Sequence, residues 1–157
     1  MKKWYYASFI YLVLGLLGGL FYREFTKAHD FHGETQLGVV HTHLLVLGFI
    51  VPLVFLALDR LFNLSEHKTS TIGFWLYNAG VLVTVGMMIT HGIMTVNGSE
   101  VSPAISGIAG LGHILMTIST ILLMSALGSA ISTSQARDTL RNRDSLGNPE
   151  NQPASSS

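Results

Sequence analysis

Four histidines of this chain, His41, His43, His91 and His113, lie inside long stretches that hold no Asp, Glu, Lys or Arg. A neutral imidazole offers a lone pair to iron, copper or zinc, and inside a membrane it is costly enough to mark a functional position. Met94 and Met116 each follow a histidine by three residues, in His91-Gly-Ile-Met94 and His113-Ile-Leu-Met116, and a thioether suits Cu(I). With no Cys, the chain has no thiolate site, iron–sulfur cluster, disulfide or covalent c-type haem. Any metal falls to His, Met, carboxylate or backbone ligands.

The elements that must position these side chains follow from composition. Of 157 residues, 11% are charged and 48% hydrophobic, which excludes an ordinary water-soluble domain. Zero net charge removes the basic surface that nucleic acid binding requires. A bilayer core of about 30 Å takes roughly 20 apolar residues of helix, and four runs meet that length. They cover residues 4–22, 37–58, 72–96 and 105–131. The expected fold is an all-α integral membrane protein, an up-and-down four-helix bundle over residues 1–132, followed by a polar, disordered cytoplasmic tail over 133–157. Lys2, Lys3, Arg60, Lys68, Arg137, Arg141 and Arg143 would share one side against Arg23 and Lys27 on the other, which predicts both termini in the cytoplasm.

Depth singles out the histidines. At about 1.5 Å rise per residue, all four stand roughly 6–12 Å below the external ends of their helices, so three antiparallel helices deliver imidazoles to one layer of the outer leaflet. His41 and His43 differ by about 200° around their helix and cannot face one interior point. His41 shares a stripe with Leu45, Gly48 and Pro52, so it is the expected inward residue. Its preferred partner is His113, on the diagonal helix, and two axial imidazoles would hold a b-type haem. His91 is a substitute for either. A copper site built from His43, His91, Met94 and Met116 is the alternative, and interhelical struts without any cofactor are the second alternative.

The helix faces carry further expectations. The stripe Ser8, Tyr11, Gly15, Gly18 and Tyr22, with the Gly15/Gly19 pair beside it, reads as a packing face and a candidate homo-oligomer contact. Gly73, Gly80, Thr84 and His91 form the inward stripe of the third span, and Ser106, Gly110, His113, Thr117, Thr120 and Met124 that of the fourth. Arg23 and Lys27 are placed to neutralise propionates. The loop His29-Asp-Phe-His32, with Glu24 and Glu34, is a solvated surface segment. Asp59-Arg60 reads as a charge pair at a helix end. No embedded carboxylate serves a proton relay, and neither phosphate-cradling loops nor a nucleophile motif occurs, so no catalytic residue is assigned.

The segment His41-Thr-His-Leu-Leu-Val-Leu-Gly-Phe49 resembles the second transmembrane helix of haem–copper oxidase large subunits, above all the nitric oxide reductase branch. The matching His-Thr-Asn-Leu-Leu-Val segment there carries an axial histidine of a low-spin haem b. The resemblance makes His41 that ligand and puts His43 where the family has Asn. From Tyr5-Tyr-Ala-Ser-Phe-Ile-Tyr11 through Tyr22-Arg-Glu-Phe25, the chain also resembles an uncharacterised family of small four-helix bacterial membrane proteins. The combined expectation is a multi-pass protein of the bacterial cell membrane. It would bind haem b for electron transfer or gas-ligand handling, or serve as accessory to a respiratory oxidase, with a quinone, the oxidase or a second copy as partner.

Overall fold

In hydrocarbon a backbone must satisfy its own N–H and C=O groups, so the uncharged runs have only the helix available. The computed structural model describes residues 1–100 and 102–147, and no strand occurs among them. Its helices are α1 (Lys2–Ala28), α2 (Leu37–Phe62), α3 (Lys68–Val96) and α4 (Pro103–Gly147). All four are long and apolar enough to cross a membrane. The end of the bundle that carries Met1 is called the near end here, and the end with the 29–36 connection the far end.

α2 is one helix wound in two ways: α-helical over Leu37–His43 and Val51–Phe62, π-helical over Leu44–Ile50. The wide turns stop just short of Pro52, which has no N–H and whose ring would press on the carbonyl four residues back. Neighbouring helices supply partners for that stretch of backbone. Ser8 of α1 donates its hydroxyl to the Phe49 carbonyl at 3.3 Å, and Tyr77 of α3 donates to the Leu47 carbonyl at 3.1 Å. α2 ends at Asn63, whose left-handed backbone (φ 54°) gives its N–H to the Asp59 carbonyl.

Small residues set how closely the helices approach. The predicted face of α1 packs against α2: Ser8, Tyr11 and Gly15 are buried, and a β-carbon on Gly48 would stand 2.5 Å from Tyr11 Cγ. Gly15 and Gly19 pack inside the chain, against Leu45 and His41. α3 meets α4 along Gly73, Gly80 and Thr84, as its stripe predicts. A β-carbon on Gly80 would lie 2.9 Å from the Gly112 carbonyl oxygen, and Ser119 donates to the Gly73 carbonyl at 2.7 Å.

α4 differs from expectation in two respects. Its buried face is Gly112, Ser119, Leu123, Ala126 and Ala130, whereas Gly110, His113, Thr117, Thr120 and Met124 are exposed. The apolar face wins because it fits the narrow seam of α3, while the hydroxyls of Thr117 and Thr120 are satisfied by carbonyls of their own helix. α4 also runs on past residue 131 to Gly147; the Ser106 side chain and residues 148–157 of the predicted tail lie outside the described residues.

At the near end Trp4 is fully buried, stacked on Phe55 at 5.1 Å and edge-on to Phe74 at 4.7 Å. Asp59 does not pair with Arg60. Its carboxylate, 1% exposed, takes the Met1 amine at 2.8 Å and the Ser65 N–H and hydroxyl at 2.6 Å each, because burying a carboxylate demands a full set of donors.

The seam between α3 and α4 predicts a contrast. Gly80→Leu forces a side chain into the Gly112 and Met116 backbone and should cost about 1–3 kcal/mol, read as a lowered unfolding midpoint in detergent. Gly110→Leu, at a position with open space around it, should leave that midpoint unchanged. Equal losses for both would contradict the rotation of α4.

Candidate functional site

The two histidines of α2 face opposite ways. His41 is half-buried against α1, close to Gly18 and Gly19, with its Nδ1 buried and without a hydrogen-bond partner. Its Nε2 lies 3.4 Å from the Thr42 hydroxyl. His43, about 200° further round, points away from α1.

α4 lies on that same side. The α3 residues that meet α4 are Gly73, Gly80 and Thr84, whereas Asn78, Leu82, Gly86 and Ile89 line the space shared with α1, on the reverse of the α3 wheel. α1 and α4 thus flank the α2–α3 pair on opposite sides. The chain forms a stepped arrangement with two open corners instead of a closed square. α4 meets α2 mainly over Val51–Phe62, so the far half of α2 stands clear of it, with Val39, Val46 and Ile50 exposed. His43 and His113 stand on the two walls of that notch.

Their heights differ by about one helical turn. Leu37 packs on Gly92, which sets His43 level with the neighbourhood of Gly86; Gly112 packs on Gly80 and Thr84, which sets His113 level with about Leu82. Four residues of α3 make about 6 Å along the bundle. His91 stands about 8 Å further toward the far end. It lines a polar crevice of about 300 Å³ together with Glu34, Gln36, Val39 and Thr95, and the Thr95 hydroxyl donates to the His91 carbonyl at 2.9 Å.

Hydrogen bonding separates the rings further. His43 donates Nδ1–H to the Val39 carbonyl and His113 donates Nδ1–H to the Ala109 carbonyl, both at 3.0 Å. A carbonyl can only accept, so in each neutral ring Nδ1 holds the proton and Nε2 keeps its lone pair, the arrangement typical of a metal-ligating imidazole. His29 and His32 make similar bonds in the exposed connection, so depth is what distinguishes His43 and His113.

His43 thus lies on the side of α2 away from α1, His113 on the exposed side of α4, and His41 against α1. Among the described residues no three of His, Asp and Glu gather closely enough to hold a metal ion by themselves. Met116 packs across Gly80 in the α3–α4 seam, and Arg23, on α1, stands 3.7 Å from Glu24. Neither the polar crevice at Gln36 nor the donors around Asp59 was visible in the helix pattern, since both form only where a connection folds back on a helix end.

Residues 1–130 match the model of a family described as a protein of unknown function, DUF2871. The chain belongs to the DUF2871 family. The match takes in α1, α2, α3 and α4 as far as Ala130, and it agrees with the resemblance to an uncharacterised family. No curated protein and no solved structure matches the chain, so the likeness to haem–copper oxidases finds no support beyond the residues from His41 to Phe49.

The ring bonding of this DUF2871 protein predicts a spectroscopic state. In ¹⁵N-labelled, metal-free protein in detergent, His43 and His113 should resonate as Nδ1–H tautomers with an unprotonated Nε2. An Nε2–H tautomer for either ring would contradict the geometry.

Proposed function

We propose that this protein is a multi-pass haem protein of the bacterial cell membrane, with His43 and His113 as the axial pair. The observation that carries the reading is the pair of imidazoles that border one notch, one on α2 and one on α4, about one helical turn apart in height. Each has Nδ1 tied to a carbonyl and Nε2 free. The donor set fits a b-type haem, which needs two neutral Nε2 ligands and no covalent attachment. An apolar macrocycle also suits a notch that opens to lipid beside Val46 and Ile50. When bound, haem supplies an iron that exchanges single electrons or, with one axial position vacant, takes a gas ligand.

The chain's own residues hold and orient. The Val39 and Ala109 carbonyls fix the tautomer and ring plane of the two ligands. α3 spaces the walls. His91 lies beside a crevice at the far end that also holds Glu34, Gln36 and Thr95. The axial role on α2 moves from His41, the residue of the oxidase likeness, to His43, because His41 is committed to α1. The copper alternative loses Met116 to the α3–α4 seam. Seven basic residues against two support a cytoplasmic near end. The role is electron transfer or gas-ligand handling, alone or as accessory to a respiratory oxidase, with a quinone or that oxidase as exchange partner.

The test is haem content per protein after expression with haem supply. His43→Ala and His113→Ala should each lose most of the haem and the sharp reduced α band, while His41→Ala keeps both. Loss in His41→Ala with retention in His43→Ala would return the role to His41. A wild-type protein that takes up no haem would overturn the reading.

A further inference from the structure

The second open corner, between α1 and α3, is of a different kind. Two cavities of about 360 and 370 Å³ lie end to end along it and share Leu14 and Leu82. The near one runs from Lys3 and Trp75 to Leu14. The far one continues to Phe21 and Leu37 with no charged residue in its lining. From Lys3 to Leu14 is eleven residues, about 16 Å of helix, and one leaflet of a hydrocarbon core is about 15 Å deep. The near cavity is thus one acyl chain long.

Its mouth carries Lys3, a cation that makes no direct ion pair. Lys3 donates Nζ–H to the Thr71 hydroxyl at 2.9 Å and stands over the rings of Trp4 and Phe74, 5.8 and 5.3 Å from their centroids. Asp59, whose charge reaches Lys3, is taken up by the Met1 amine and two donors of Ser65. Among the described residues no carboxylate lies within ion-pair distance of Lys3. An ammonium has three donors, so two remain for an outside acceptor. Lys2 adds a second positive charge beside it. Trp75, 67% exposed, forms the rim at headgroup level.

We infer that this groove seats an acyl chain of an anionic phospholipid from the near-end leaflet, with its phosphate against Lys3. The far cavity has no such anchor and takes hydrocarbon without headgroup preference. The site is separate from the histidine notch, on the other face of the α2–α3 pair, and does not depend on haem.

Brominated lipids quench a tryptophan they touch, and the difference between wild type and Trp75→Phe isolates the rim residue. Full-length protein is placed in phosphatidylcholine vesicles containing rising fractions of brominated phosphatidylglycerol, or of brominated phosphatidylcholine. The glycerol lipid should half-quench Trp75 at about a five-fold lower fraction, the preference expected of one lysine at a membrane surface. Lys3→Arg should keep that preference and Lys3→Gln should merge the two curves. Identical curves for the wild type, a comparison that needs no Lys3 variant, would overturn the inference. So would a preference that survives Lys3→Gln, or a co-purified isoprenoid quinone that phosphatidylglycerol does not displace from Trp75.

Discussion

Hydrocarbon offers no hydrogen bonds, and the arrangement of this bundle follows from how α2 meets that constraint. Pro52 interrupts the α-helical ladder, Leu44–Ile50 just before it widen into π-helical turns, and two of their carbonyls are taken by Ser8 of α1 and Tyr77 of α3. Those bonds tie three helices together near the middle of α2. The same wide turns carry Gly48, where Tyr11 enters, so the polar constraint and the close approach of α1 are met at one place. Lipid tails supply no hydrophobic drive between helices, so contact of this kind, with the Gly80–Gly112 seam, is what holds the helices side by side.

A stepped row of helices results. α1 sits on one side of the α2–α3 pair and α4 on the other, which leaves an apolar trough in one corner and a notch flanked by histidines in the opposite one. The two corners differ in chemistry as they differ in neighbours. The trough ends in a lysine that makes no direct ion pair; the imidazoles His43 and His113 give their Nδ1 protons to carbonyls of their own helices.

Much of this was legible in the amino-acid sequence. Charge-free runs of about 20 residues located all four spans, and the small-residue stripes of α1 and α3 are the faces that pack. Periodicity does not say which neighbour a stripe meets. His41 lies on an inward stripe with Gly48, as expected, yet the neighbour is α1, so the residue facing α4 is His43. On α4 the stripe of Gly110, Thr117 and Thr120 promised burial, but threonine hydroxyls can bond carbonyls of their own helix and do so here. Asp59 illustrates another limit: its partners are Met1 and Ser65, and a reading of adjacent charges sees only Arg60.

The central claim is that two neutral imidazoles from α2 and α4 hold one iron. Low-temperature electron paramagnetic resonance of the oxidised, haem-supplied wild-type protein, with magnetic circular dichroism in the near infrared, reads the axial ligands directly. The account predicts a purely low-spin ferric signal with the charge-transfer band of bis-imidazole ligation. A high-spin ferric signal, a low-spin centre with thioether ligation, or a protein without iron would contradict it.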